Sequence, residues 1–276
     1  MFHPVIPSNI RMHNHSYTGA DDIPEALYER IRAGFALLRS DNPLVSVNII
    51  AWNEESNILR NLSSLSAMQS AYPVEFIIVD NNSSDRTSEI IRKCGLTPVS
   101  EKQQGYGFAR QAALEASRGK YVVTGDSDTV YPPTWVDAMV GPLERGKGFA
   151  TYGTYSYLPP AGKSRLGYAL YELARNVVHA LRTVRRPELA VGGVNFCFPR
   201  EAALEIGFIR SDARMEDGKM AFALSKRGRL LRITGLRAIA WTATRSVDGE
   251  GSLVATFLSR IPKQLKWMKL YFTRKK

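Results

Sequence analysis

Apolar and polar positions along this chain alternate in two rhythms. Leu44–Ala51, Val74–Val79 and Lys120–Thr124 are short runs rich in β-formers, and they predict strands. A helical period follows each of the first two, and Gly107–Ser117 supplies another before the third. Strand–helix–strand spacing of about thirty residues predicts parallel crossovers, and therefore an α/β fold with helices on both faces of one sheet. In the second half, Phe149–Tyr157 and Val194–Phe198 read as strands, and Ser164–Arg186 and Asp217–Lys226 as helices. The longer helix carries Leu166, Leu170, Leu173, Val177, Leu181 and Val184 on one face, and the shorter one stops at Gly228. Arg229–Ile233 and Arg237–Trp241 predict paired strands across a Thr234-Gly235 turn.

The ends differ from this body. Residues 1–42 form an extension: about twenty aperiodic polar residues, then a helix opening at Ile23-Pro24-Glu25 and running through Leu38. Ile23, Leu27, Ile31 and Phe35 share its apolar stripe. Leu253–Phe272 is helical by pattern, with Pro262 as a kink or restart. There Val254, Phe257, Leu258, Ile261, Leu265, Met268 and Phe272 form one stripe, and Arg260, Lys263 and Lys266 lie across from it. The chain thus divides into 1–42, 43–130, 131–245 and 246–276, the last a basic amphipathic helix.

Charge sharpens that division. The net charge is +11, and from Lys226 to the end thirteen Lys or Arg stand against Asp248 and Glu250 alone. A basic tail on a near-neutral body is either a solvated face or a docking surface for an anionic partner such as a phospholipid membrane. No apolar run approaches the roughly 18 residues of a bilayer span, and Met1–His15 has no apolar core for a secretion signal. Cys94 and Cys197 fit no metal spacing and read as buried thiols. The expectation is a cytoplasmic protein, peripheral on the inner face of the membrane if the tail binds lipid, with no nucleic-acid partner.

Ligands in a parallel sheet bind beyond the carboxyl ends of its strands. Past the first predicted strand come Asn53-Glu54-Glu55, past the second Asp80-Asn81-Asn82-Ser83-Ser84-Asp85, and past the third Gly125-Asp126-Ser127-Asp128. Any one of these has a structural reading, since Glu54, Glu55, Ser84 and Asp85 all suit helix starts. Three in parallel do not. An Asp-x-Asp pair alone recurs by chance, but Asp126 and Asp128 leave a buried strand directly into the crevice. Their carboxylates are hard oxygen ligands suited to Mg²⁺ or Mn²⁺ carrying a diphosphate. Gly105-Tyr106-Gly107 runs on to Arg110 without a third glycine, which argues against a dinucleotide or P-loop enzyme. His179, alone on the long helix, reads as a surface or core residue.

In order, these motifs resemble the family 2 inverting glycosyltransferases. Leu44–Glu55, Ile78–Thr87 and Gly107–Arg110 leading into Asp126-Ser127-Asp128 look like the donor half of that family. Gly192-Gly193 through Arg200, Ile206-Gly207 and Glu216-Asp217 are similar to its acceptor half. The resemblance spans about residues 43–245. It implies a single GT-A-like domain with a Rossmann-like, mixed but mostly parallel sheet, in which 43–130 binds the nucleotide sugar and 131–245 the acceptor. It implies that Ala51, Asn53 and Glu54 face the nucleoside, that Asp80 contacts base or ribose, and that Arg110 and Gly105–Gly107 lie near the ribose-diphosphate. Asp126 and Asp128 would hold nucleotide and metal, Asp217 would be the base, and Arg245 would neutralise the leaving group. One departure is Asn81, where many members carry a second Asp. The activity so implied is hexosyl transfer from a UDP-sugar to an acceptor hydroxyl with inversion, in polysaccharide or glycolipid synthesis, the acceptor lipid-linked in the second case.

Two rivals share the crevice logic. A sugar-phosphate nucleotidyltransferase would want a Gly-rich, Arg- and Lys-bearing signature near the N-terminus, where this chain has Trp52-Asn53-Glu54. A non-catalytic membrane- or nucleic-acid-binding module would not need the acids of a working crevice, which are all present.

Overall fold

The structure, a computed structural model, describes residues 3–160, 163–183, 186–210 and 216–245. Along the chain the elements are α1 (Ser8–Arg11), α2 (Glu25–Leu38), β1 (Val45–Ala51), α3 (Ile58–Ser66), β2 (Val74–Asp80), α4 (Thr87–Lys93), β3 (Val99–Ser100) and α5 (Tyr106–Ala116). There follow β4 (Tyr121–Asp126), β5 (Thr129–Val130), α6 (Trp135–Glu144), β6 (Ala150–Gly153), β7 (Tyr155–Leu158) and α7 (Arg165–Thr183). Last come β8 (Phe196–Pro199), α8 (Arg200–Ile206), α9 (Glu216–Ser225), β9 (Leu230–Ile233) and β10 (Ala240–Ala243).

Seven strands form one sheet in the order β3-β2-β1-β4-β8-β6-β9. Neighbours from β3 to β4 are parallel, β8 runs antiparallel to both β4 and β6, and β9 lies parallel to β6. The expected mixed, mostly parallel sheet is therefore present, and it draws strands from both sides of residue 130. Every residue of β1 is buried. Its two polar members survive burial because each has a partner: Ser46 Oγ donates to Glu75 at 2.6 Å, and Asn48 Nδ2 donates to Ser117 Oγ at 2.9 Å.

A second sheet, β5-β10-β7, lies where the sequence predicts something else. The run Phe149–Tyr157 is not one strand: it breaks at Thr154, so that β6 enters the large sheet and β7 the small one. The expected Arg229–Trp241 hairpin does not form either. Its first strand, β9, pairs with β6, its second, β10, pairs with β7 and β5, and a 3₁₀ turn at Leu236–Ala238 separates them. Both errors share one cause: a local alternation cannot tell which of two sheets will receive the strand.

The extension is part of the body. Tyr28, Ile31 and Phe35 of α2 join the main core beside Leu62 and Leu65 of α3. Ile10 of α1 joins Val130, Leu158, Ile239 and Trp241 beneath the small sheet. Tyr17 Oη donates to Glu55 O at 2.7 Å, and Glu55 Oε1 accepts the Ala20 amide at 3.1 Å. Cys94 and Cys197 are free and fully buried, as expected. Helix α7 turns Leu166, Leu170, Leu173 and Val177 to the outside and buries Tyr168, Tyr171 and Glu172. The expected helix Leu253–Phe272 lies outside the described residues. Among the described residues no helix is long and apolar enough to cross a membrane.

Candidate active site

The parallel register brings three strand ends level: Ala51 pairs with Asp80, and Ile50 with Asp126. The loops that follow are laced together. Asn53, at φ 51°, adopts a left-handed turn that Asn tolerates better than most residues. Its amide donates to Ser83 Oγ at 2.9 Å, and its Oδ1 accepts the Ser84 amide at 2.8 Å. Asp80 accepts the Ser83 amide at 3.1 Å through Oδ1 and the Ser88 hydroxyl through Oδ2. Asp85 accepts the Thr87 amide at 3.0 Å at the start of α4, a helix-start role.

Asn81 also has a reason. Its Nδ2 donates to Glu101 O at 3.2 Å and Gln103 O at 2.7 Å, while Oδ1 accepts the Gly105 amide at 2.9 Å. An Asp there would aim a carboxylate oxygen at two carbonyls, so this loop requires the amide. Gly105, at φ 145°, then opens α5, the helix that carries Arg110.

Arg110 is the hub, only 2% exposed. Its Nη1 donates to Gly125 O at 2.8 Å and its Nη2 to Asp126 Oδ1 at 2.7 Å. Its Nε faces Asp217 Oδ1 at 3.6 Å, too far for a hydrogen bond, and both of those atoms are left without one. Gly193 wedges against the same pair: a Cβ there would stand 2.2 Å from Asp217 Oδ2 and 2.3 Å from Arg110 Nη2. Only glycine lets the 192–195 turn come this close.

A second bridge sits on the other side of Asp126. Asp128 Oδ1 accepts the Thr129 and Thr242 hydroxyls at 3.1 and 3.2 Å, and its Oδ2 meets Arg245 Nη2 at 3.1 Å. Arg245 also pairs with Glu54 Oε1, whose Oε2 accepts Asn57 Nδ2 at 2.9 Å. Six predicted residues thus form one arrangement, with Asp217–Arg110–Asp126 on one side and Asp128–Arg245–Glu54 on the other. Ala51, Asn53 and Asp80 line the same edge but bond to their own loops.

Burial governs the protonation of these acids. It pushes Asp126 up to about 6 against the pull of Arg110, with Asp128 and Asp217 adding to the rise. Burial likewise lifts Asp217 to about 6, opposed by Arg110 and reinforced by Glu216. Glu54 is also raised by burial, with Arg245 opposing. Burial alone would lower Arg110, but Asp217 and Asp126 outweigh it, so the guanidinium stays charged.

Sequence reasoning missed four supports. Asn61 of α3 donates to Asp126 O at 3.1 Å and Thr129 O at 2.7 Å, holding the Asp126–Thr129 turn. Tyr131 Oη accepts the Asp126 amide at 2.9 Å and donates to Val194 O at 2.8 Å, tying the two halves together. Thr242 and Gly193 are the others. Only Gly193, inside the quoted Gly192-Gly193 motif, carried a sequence signal.

Residues 46–207 match the glycosyl transferase family 2 profile, more than half of the chain, and the chain belongs to that family. It is 32% identical over 162 residues to a glucosyl-3-phosphoglycerate synthase of Mycolicibacterium paratuberculosis, covering 52% of this chain and 48% of that protein. It is 31% identical over 117 residues to the Escherichia coli UDP-Glc:alpha-D-GlcNAc-diphosphoundecaprenol beta-1,3-glucosyltransferase WfaP, covering 41% and 46%. The chain thus spans about half the length of these curated relatives. In fold it is similar to the crystal structure of glucosyl-3-phosphoglycerate synthase from Mycobacterium tuberculosis with Mn²⁺, UDP-glucose and phosphoglyceric acid. The TM-score is 0.53 at 22% identity, covering 84% of this chain and 83% of that one. The fold is of the GT-A glycosyltransferase type.

Proposed function

We propose that this chain transfers a hexose from a UDP-sugar to an acceptor hydroxyl with inversion, residues 43–130 binding the donor and 131–245 presenting the acceptor. One observation carries the reading: the buried Arg110 guanidinium stands between Asp126, at the end of a donor-side strand, and Asp217, on the acceptor-side helix. An inverting displacement needs such a separation. The leaving diphosphate and the base must lie on opposite faces of the anomeric carbon, and a fixed cation between them keeps their two acids apart.

In this reading Asp217 takes the proton of the acceptor hydroxyl as its oxygen bonds to the anomeric carbon. The bond from that carbon to the diphosphate oxygen breaks, and the diphosphate leaves with the electron pair. A carboxylate raised to about 6 is mostly ionised at neutral pH yet more basic than an ordinary one, which suits a general base. Its Oδ1 faces the Arg110 guanidinium at 3.6 Å, which fixes the orientation of the carboxylate. Arg245, half-exposed beside Asp128, balances charge developing on the leaving group. Glu54 and Asn57 hold the base of that arginine's reach.

Mg²⁺ or Mn²⁺ takes one or two protein carboxylates and completes its shell with substrate phosphates and water. Asp126 and Asp128 offer that donor set at one strand end, so the residues fit, although among the described residues no group of three or more His, Cys, Asp or Glu could hold an ion by itself. When bound there, the ion supplies electrostatic stabilisation of the departing diphosphate. Names of similar proteins support the donor class: one acts on UDP-Glc, and another is crystallised with UDP-glucose and Mn²⁺.

The test is to incubate the protein with UDP-, GDP- and dTDP-glucose, with and without Mn²⁺, and to measure the products. Metal-dependent release of UDP supports transfer. Pyrophosphate release from a nucleoside triphosphate and a sugar phosphate points to the nucleotidyltransferase instead, and neither product points to a binding module.

A further inference from the structure

Between β6, the middle of α7 and the segment 189–194 lies a cavity of about 200 Å³, room for several waters at roughly 30 Å³ each. Arg175, Arg232, Asn176, Tyr152 and Gly192 are among its walls, and among the described residues no Asp or Glu lines it. Two guanidinium groups around one cavity repel unless something negative stands between them.

The described carboxylates nearby do not enter the cavity: Glu172 is close enough to favour the charged Arg175, but its oxygens are bonded elsewhere. Glu172 accepts from Arg165 at 2.6 Å, from Ser156 at 3.1 Å and from the Tyr157 amide at 2.6 Å. Glu188 pairs with Arg186 at 3.0 Å. Arg175 lies over the Tyr155 ring at 3.9 Å and donates through Nη2 to Tyr155 O at 2.5 Å, which fixes the group in place. Its Nη1 is buried with no hydrogen-bond partner. Arg232, on β9, forms no ion pair among the described residues. A buried donor left unmade is costly, and a preformed arginine fork suits a phosphate or carboxylate above all.

The position gives the cavity a purpose. Gly192 lines it, and the next residue, Gly193, packs directly on Asp217. We propose that this cavity is an anion subsite for the acceptor, in which Arg175 and Arg232 grip a phosphate or carboxylate while a hydroxyl of the same molecule reaches Asp217 past the Gly192-Gly193 turn. The acceptor class is then a small hydroxylated phosphate ester or hydroxy acid, or a lipid headgroup that carries both a phosphate and a free hydroxyl. The role in transfer rests on the function proposed above, whereas anion binding by the cavity does not.

The experiment uses the full chain and Arg232→Gln, with UDP and Mn²⁺ present to occupy the donor site. Inorganic phosphate, read by calorimetry and thermal shift, should bind the wild type and bind Arg232→Gln at least tenfold more weakly, while UDP affinity stays within about twofold. Glycerol phosphate should accelerate UDP release from UDP-glucose, with the variant raising its KM at least tenfold and leaving kcat within a few-fold. Arg232→Lys should recover part of that KM, which a purely structural role would not predict. Vesicles of phosphatidylglycerol separate the sources: if they replace glycerol phosphate as acceptor, and lose that ability in the variant, the headgroup is the anion. Equal phosphate binding by wild type and variant overturns the proposal and leaves the transferase reading standing. Phosphate binding lost in Arg232→Gln without any UDP binding does the reverse.

Discussion

The two edges of this molecule are built on different terms. At the donor edge, β1, β2 and β4 end level, and Asn53, Asp80, Asn81 and Asp85 spend their hydrogen bonds on neighbouring loops. Past residue 131, β6 and β7 part into different sheets, and Asp217 Oδ1 and Arg175 Nη1 stay buried without partners. A loop cluster that satisfies itself is rigid before any ligand arrives. A region that holds polar atoms in reserve is complete only when something binds. Under the proposed function the loops of the donor edge are thus preorganised, Arg110 Nε and Asn61 Oδ1 being the unpartnered atoms behind them, and the acceptor is selected on the other side.

The sharpest way to break that comparison is at Asp217. Asp217→Asn should lower transfer by about 10²–10⁴ while leaving UDP affinity intact. In the wild type, transfer should rise with pH through about 6 and level off above, because only the ionised carboxylate accepts a proton. The linkage has the opposite sign for stability. A carboxylate raised above its unfolded value favours the folded state below pH 4, and that contribution is lost as pH climbs through 6. Asp217→Asn should therefore gain melting temperature relative to the wild type at pH 8 more than at pH 4. Equal losses of UDP binding and rate would make Asp217 a helix-start residue. Gly193→Ala pushes a methyl into the space of that carboxylate and should mimic the rate loss.

At the donor edge the expected effects are smaller and concern binding. Asp126 and Asp128 crowd two negative charges, so UDP with Mn²⁺ should raise the melting temperature more than either alone. Asp128→Asn should remove that synergy with the fold intact. Wild-type synergy in the variant would show that these carboxylates do not share an ion. Asn81→Asp, measured by denaturant unfolding, should cost about 1–3 kcal/mol, since it turns two donated hydrogen bonds into repulsions.

What the sequence disclosed follows the same boundary. The strands that became β1, β2 and β4 were legible because each is a short apolar run closed by turn residues, and their carboxylates followed from where parallel strands end. Asp217 and Arg245 came through family resemblance, and Gly193 only as part of a quoted motif, since no local pattern separates a candidate base from a helix-start acid. Tyr131 and Asn61 were invisible: they matter because Gly125 leaves room for the tyrosine hydroxyl, 2.5 Å from where its Cβ would stand, and because α3 lies against the Asp126–Thr129 turn. The hairpin expected at Arg229–Trp241 failed because its two strands are claimed by different sheets.

Helix α7 supplies the smallest effect, at Leu170, and the cleanest reversal. Its pattern predicts a leucine stripe as the packed face, yet Leu170 is 55% exposed while its neighbour Tyr171 is 8% exposed. The reason lies in the cluster beneath: Tyr157 packs against Tyr168 and Tyr171, with ring centroids 6.0 Å away in both cases. Glu172, one residue on, is buried only because Arg165 pairs with it at 2.6 Å. Aromatic bulk and a buried ion pair thus decide the helix's rotation against its aliphatic stripe. Leu170→Gln should then change stability by no more than about 0.5 kcal/mol, as surface substitutions do, whereas Tyr171→Ala should cost about 3 kcal/mol. Both are read from urea unfolding of the single variants. A loss above 1 kcal/mol for Leu170→Gln would mean that the stripe is covered in solution, and the contrast within this helix would fail.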